Sequence, residues 1–126
     1  MRVPKKGEIW YVDPDPTKGH ELRSPHYFIV VSDELLNQAL GTAICCPIST
    51  GGNAARSQNV TVVLEGSSTE SGKVTGVILC HQVRALDLKE RQAKYATKAE
   101  DYFSAHDRNT KLNLANAYQI KNEAID

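Results

Sequence analysis

Between Asp13 and Tyr27 the chain gathers Lys18, His20, Glu21, Arg23 and His26. Imidazoles beside a carboxylate and a guanidinium can move protons near neutral pH and hold an anion while they do so. Pro14, Pro16, Gly19 and Pro25 punctuate the segment, which then runs into Tyr27-Phe28-Ile29-Val30-Val31. That apolar, β-branched and aromatic run reads as a fully buried strand. A polar stretch dense in titratable groups and feeding a core strand is where a small domain mounts chemistry. The plain alternative is a solvated, proline-rich turn.

A second group follows the next apolar run: Ser49, Thr50, Gly51-Gly52-Asn53, Arg56 and Ser57. Gly-Gly-Asn is a turn signal between strands. Successive backbone N–H groups in such a turn can form an anion nest, to which Ser49, Thr50 and Arg56 would add donors for a phosphate. A simple hairpin turn accounts for the same residues. His81 and Arg84 form a third, smaller group. Asp13 and Asp15 lack further carboxylates nearby and fit a turn in which Asp side chains bond the local backbone. Cys45, Cys46 and Cys80 lie in apolar runs without Cys-x-x-Cys spacing. They read as small buried hydrophobes in a reducing compartment, and neither a metal nor a cofactor is expected.

The elements that would position these groups are short. Ile9-Trp10-Tyr11-Val12 is the first strand, with Trp10 as a core anchor, and Asp13-Pro14-Asp15-Pro16 stops it. Ser32 to Gln38 predicts one or two helical turns with Ser32 as N-cap. Ala43–Ile48 is a third strand, which Pro47 is expected to end or confine to an edge. Asn59–Leu64 and Gly76–Cys80 are the fourth and fifth, and His81–Leu86 extends the fifth or bends into a sixth. The stretch 84–98 reads as a basic surface. From Lys98 the pattern turns helical, with Thr97 a candidate cap and Glu100 at capping-box spacing. Five or six strands and one terminal helix suggest a small antiparallel barrel or half-open sheet.

At 126 residues, 40% hydrophobic and 24% charged, the chain fits one globular domain. Its 15 basic and 15 acidic residues cancel, so any nucleic-acid site must be a local basic patch. Without an apolar run near the ~20 residues of a membrane span, or an apolar signal region after the basic N-terminus, the expected location is cytoplasmic, with no membrane partner.

Three blocks taken together resemble the PemK/MazF toxins of bacterial type II toxin–antitoxin modules. They are Gly7-Glu8-Ile9-Trp10 with Asp15-Pro16-Thr17-Lys18-Gly19-His20-Glu21; Pro47 to Arg56; and Thr75-Gly76-Val77 with Gln82 to Asp87. The similarity covers roughly residues 5–95. It implies a mainly β fold, an SH3-like small barrel with a C-terminal helix (CcdB/PemK-like), forming a homodimer. It also implies metal-independent, sequence-specific cleavage of single-stranded RNA, usually mRNA. The implied partner is a cognate antitoxin whose acidic, partly disordered tail lies across the RNA groove.

RNA can be cut through its own 2′-OH, given a base for that hydroxyl, an acid for the leaving 5′-oxygen and positive charge for the phosphorane. Such cleavage leaves 2′,3′-cyclic phosphate and 5′-OH ends and spares DNA. His20 matches the histidine of the family's Gly-His-Glu block. The later Arg and Asp of the PemK branch fall on Leu79 and His81, a departure from the pattern. In other members an Arg-Pro pair precedes the second strand; here those positions are His26-Tyr27, while Ser49 matches the family's hydroxyl. The expected site therefore has Arg23 and Ser49 on the phosphate, His26 or His81 moving protons, and His20 positioning the loop or sharing that work. Lys18, Glu21, Thr50, Asn53, Arg56, Ser57 and Arg84 are the candidates for holding RNA. The Leu79 and His81 departure also allows a cleavage-impaired homologue that binds RNA or antitoxin. A DNA-gyrase poison sharing the fold is the further alternative.

Overall fold

A computed structural model describes residues 2–14, 25–49, 61–64, 69–72 and 74–99. Strands β1 (Glu8–Val12), β2 (His26–Val30), β3 (Ala43–Ser49), β4 (Thr61–Leu64), β5 (Gly76–Leu79), β6 (Arg84–Leu86) and β7 (Lys94–Lys98) form one antiparallel sheet. Its order is β4-β5-β3-β2-β1-β7, with β6 also paired to β3. Among the described residues the strand ladders do not close into a complete ring, the half-open form of the expected architecture.

Apolar runs, rather than alternating ones, form the central strands because both faces of the sheet are covered. One face packs Ile9, Ile29, Cys46, Ile48, Ile78 and Cys80 into a core. The other packs Trp10, Val12, Phe28, Val30, Cys45, Leu86 and Leu88. Trp10 is 2% exposed and anchors the second core as expected. Cross-strand register builds continuous rungs, such as Trp10–Phe28–Pro47 on one face and Tyr11–Tyr27–Ile48–Ile78 on the other.

Between β2 and β3 the chain makes one helix, α1 (Glu34–Leu40). Asp33, not Ser32, holds the N-cap position, with extended backbone. Ser32 is buried, and its hydroxyl accepts the Ile44 N–H at 2.9 Å and donates to Asn37 Oδ1. The side-chain amide of Asn37 donates to the carbonyls of Pro4 at 2.8 Å and Ser32 at 3.1 Å. Ser32 therefore ties the helix to β3 instead of capping it. Gly41 ends the helix in the left-handed region (φ 72°), donating its N–H to the Asn37 carbonyl at 2.9 Å.

Pro47 neither ends β3 nor marks an edge: β3 is central, with β2 on one side and β5 and β6 on the other. The Val31 N–H donates to the Ile44 carbonyl, so residues 44, 46 and 48 turn their backbone bonds toward β2. Pro47 faces the other way, into the gap between the β6 pairing at 43–45 and the β5 pairing at 48–49. A residue without an N–H costs no ladder bond there.

Lys94–Lys98 is a strand along β1, where the sequence read as basic surface. Thr97 is not a helix cap. It is buried in β7, and its hydroxyl accepts the Ser71 N–H at 3.0 Å. The C-terminal helix expected after it lies outside the described residues. The fifth strand does bend into a sixth, through a 3-10 turn at Cys80–Gln82.

Candidate active site

Of the candidate residues, His26, Ser49, His81 and Arg84 fall within the described part of the chain. Lys18, His20, Glu21, Arg23, Thr50, Asn53, Arg56 and Ser57 lie outside it.

His26 opens β2 opposite Val12, and Ser49 closes β3 opposite Val77. The last paired rung between β2 and β3 is Tyr27–Ile48, so His26 and Ser49 occupy the next one. That rung runs Val12–His26–Ser49–Val77–Val63 across five strands. Both side chains are half-buried, and alternation puts them on the Trp10/Phe28/Cys45 face. The end of β1 and the start of β2, residues 12 and 26, meet on this rung.

Gly76 fixes the position of Ser49. A Cβ on Gly76 would lie 2.7 Å from the Ser49 carbonyl oxygen and 2.8 Å from Ile48 Cγ2. Only glycine lets β5 approach β3 this closely. Arg91 supports the entry to the β1–β2 connection, donating to the Asp13 carbonyl at 3.1 Å.

Arg84 opens β6 opposite Cys45. Cys45 is four residues from Ser49, roughly 13 Å at ~3.3 Å per residue. Burial pushes the Cys45 thiol up to about 12, partly countered by the positive charge of Arg84. His81 is exposed on the 3-10 turn, at the end of β5 remote from Val77 and Ser49. The fold therefore brings His26 beside Ser49 and leaves His81 and Arg84 toward the other end of β3.

Tyr11 and Tyr27 meet edge to face at 5.1 Å on the next rung, on the opposite face of the sheet from His26 and Ser49, with Tyr11 43% exposed. Their spacing within two apolar runs made them look like core. The sequence reading missed the packing role of Gly76, although Thr75-Gly76-Val77 is one of the blocks that carry the family resemblance.

An imidazole next to a hydroxyl can pass a proton while the hydroxyl bonds an anion. Arg84 on β6, paired to β3 four residues from Ser49, adds one cationic group beside that strand. This class of small antiparallel β domain, with a polar rung at one sheet end, finds its match among known proteins. The family model of PemK-like, MazF-like toxins of type II toxin–antitoxin systems matches residues 5–108, and the chain belongs to that family.

The chain is 36% identical over 90 residues to endoribonuclease PemK of Escherichia coli, covering 71% of this chain and 65% of PemK. It thus spans just under two thirds of that relative. It is 40% identical over 98 residues to the endoribonuclease toxin ChpB of Escherichia coli K12, covering 77% of this chain and 81% of ChpB. Among solved structures, MazF from Deinococcus radiodurans superposes with a TM-score of 0.71 at 22% identity, covering 99% of this chain and 98% of MazF. An endoribonuclease in complex with its cognate antitoxin from a mycobacterial species gives 0.66 at 15% identity, covering 95% and 97%. These two likenesses establish the fold. No helix among the described residues is long and apolar enough to cross a membrane.

Proposed function

We propose that the chain is the toxin of a type II toxin–antitoxin module, an endoribonuclease that cuts single-stranded RNA, chiefly mRNA, at specific sequences without a metal ion. The observation that carries this reading is the likeness to PemK and ChpB, both named endoribonucleases, in a chain whose His26 and Ser49 share a rung.

The RNA 2′-OH attacks the adjacent phosphorus, and the bond to the 5′-oxygen breaks. His26 takes the 2′-OH proton or supplies one to the leaving oxygen, a role imidazole can fill near neutral pH. The Ser49 hydroxyl and the Arg23 guanidinium hold the non-bridging oxygens as negative charge builds on the phosphorane. His20 positions the loop or shares the proton transfer. Lys18, Glu21, Thr50, Asn53, Arg56, Ser57 and Arg84 line the path of the RNA. The products carry 2′,3′-cyclic phosphate and 5′-OH ends, and loss of mRNA stops translation and growth.

The single domain works as a homodimer in the cytoplasm. Its antitoxin lays an acidic, partly disordered tail over the RNA groove, since carboxylates compete for the donors that receive phosphate. The test is incubation of antitoxin-free, folded protein with a long unstructured RNA in EDTA, with the cut ends mapped. Discrete cuts bearing 5′-OH ends support the reading. Intact RNA overturns it.

A further inference from the structure

The β3–β5 ladder pairs Ser49 with Val77 and Ile48 with Ile78. The ladder ends there: β5 stops at Leu79, and Cys80 opens the 3-10 turn that follows it and lies against β3, whose Cys46 sits two residues from Ile48. Both side chains are buried in one apolar cluster with Ile48 and Ile78, at 0% and 2% exposure. Cys45 is adjacent in sequence but points to the opposite face, among Trp10, Phe28 and Leu86.

The two thiols interact: the interaction pushes the Cys46 thiol up, with burial adding to the effect, and holds Cys80 below the usual thiol range, while the Cys80 thiol also reaches the Ile78 carbonyl at 3.9 Å. The pair is thus unequal: Cys80 is the sulfur that more readily carries negative charge, and Cys46 is its proton-bearing neighbour. Cys80 also begins the 3-10 turn whose next residue is His81.

We propose that Cys46 and Cys80 form a modification site, a dithiol that a small neutral peroxide oxidises to a disulfide, stapling the turn that carries His81 to β3. The Cys80 thiolate attacks one peroxide oxygen and the O–O bond breaks, giving a sulfenic acid and, with the released thiol proton, one water. The Cys46 sulfur then displaces the sulfenic hydroxyl, which leaves as a second water with the Cys46 proton. Two thiols and one peroxide become one disulfide and two waters, with the sulfurs oxidised and the peroxide oxygens reduced. Burial selects for an oxidant of this size, because a bulky disulfide cannot reach either sulfur without opening the core.

The test treats the full chain with hydrogen peroxide, blocks remaining thiols under denaturing conditions and maps the peptides by mass spectrometry. The expected result is an intramolecular Cys46–Cys80 cross-link, a loss of two hydrogens (about 2 Da) that a dithiol reductant reverses. The Cys45→Ser variant should form it as well, whereas Cys46→Ser and Cys80→Ser should not. The cross-linked protein should melt roughly 5–10 °C higher, since the bond closes a long loop. A cross-link that includes Cys45, disulfides only between chains, over-oxidised sulfurs without a bridge, or three unchanged thiols would each overturn the proposal. The peptide map of the unmutated chain gives the answer even where a cysteine variant fails to fold.

Discussion

Gly76 stands so close to Ser49 that a Cβ on it would lie 2.7 Å from the Ser49 carbonyl oxygen. The obstacle is backbone, which cannot swing aside as a flexible side chain can. Gly76→Ala should push β5 away from β3 at the rung that carries His26 and Ser49. Overpacking of this kind costs about 1–3 kcal/mol. The expected outcome is a lowered Tm with RNA cleavage reduced roughly tenfold or more in the fraction that remains folded, as misplacement of a reacting group implies. Urea unfolding and single-turnover cleavage of the same variant check the two parts.

His26 and Ser49 should separate from the fold in mutagenesis. Neither side chain belongs to the buried cores. His26→Ala should lower cleavage by roughly 10²–10⁴-fold, the range for loss of a general acid or base. Arg23→Ala should likewise abolish it. Both variants should keep the wild-type circular dichroism spectrum and bind RNA measurably. Near-wild-type cleavage by both would remove these residues from the site.

Glu8 fastens the N-terminal arm. It is 3% exposed, and its carboxylate accepts the Lys5 N–H at 2.8 Å and the Trp10 indole N–H at 3.3 Å while Arg2 pairs with it at 2.9 Å. Arg2 also lies 4.1 Å above the centre of the Tyr95 ring. Glu8→Ala strands a buried indole donor and should cost about 2–3 kcal/mol. Arg2 is half exposed, so Arg2→Ala should cost only about 1 kcal/mol. Chemical denaturation of both variants tests the asymmetry.

Much of this framework was legible in the sequence. Tyr27–Val31 announced a buried strand because both its faces are covered, and Asp13-Pro14 announced the end of β1. β7 was not legible. Lys94-Tyr95-Ala96-Thr97-Lys98 is polar at alternate positions, and only its pairing with β1 makes it a strand. Pro47 misled because a local rule cannot see a gap between two ladders. Ser32 misled because its hydroxyl serves Ile44 and Asn37, partners fixed by tertiary structure. Residue types singled out His26 and Ser49 as candidates. Their shared rung, and the distance of His81 from it, depend on register, which the sequence does not state.

Cys45 makes stability fall in alkali. Its thiol is pushed up to about 12 from an ordinary 9.0 by burial. Between those values the unfolded chain loses a proton that the folded chain keeps, so stability drops as pH rises through this window. The loss should be on the order of 1 kcal/mol at pH 10. Urea midpoints at pH 8 and pH 10 for wild type and Cys45→Ala isolate the effect, since the variant should lack this share of the decline.

The most direct test of the account is a 2′-deoxy substitution at the single nucleotide 5′ to a mapped cut, in an RNA incubated with the protein in EDTA. If the 2′-OH is the nucleophile and His26, Ser49 and Arg23 serve it, that bond stays intact while bonds at unmodified recognition sites are cut to 5′-OH ends. Cleavage of the substituted bond at the same rate would contradict the account, because the attacking oxygen would then have to come from elsewhere.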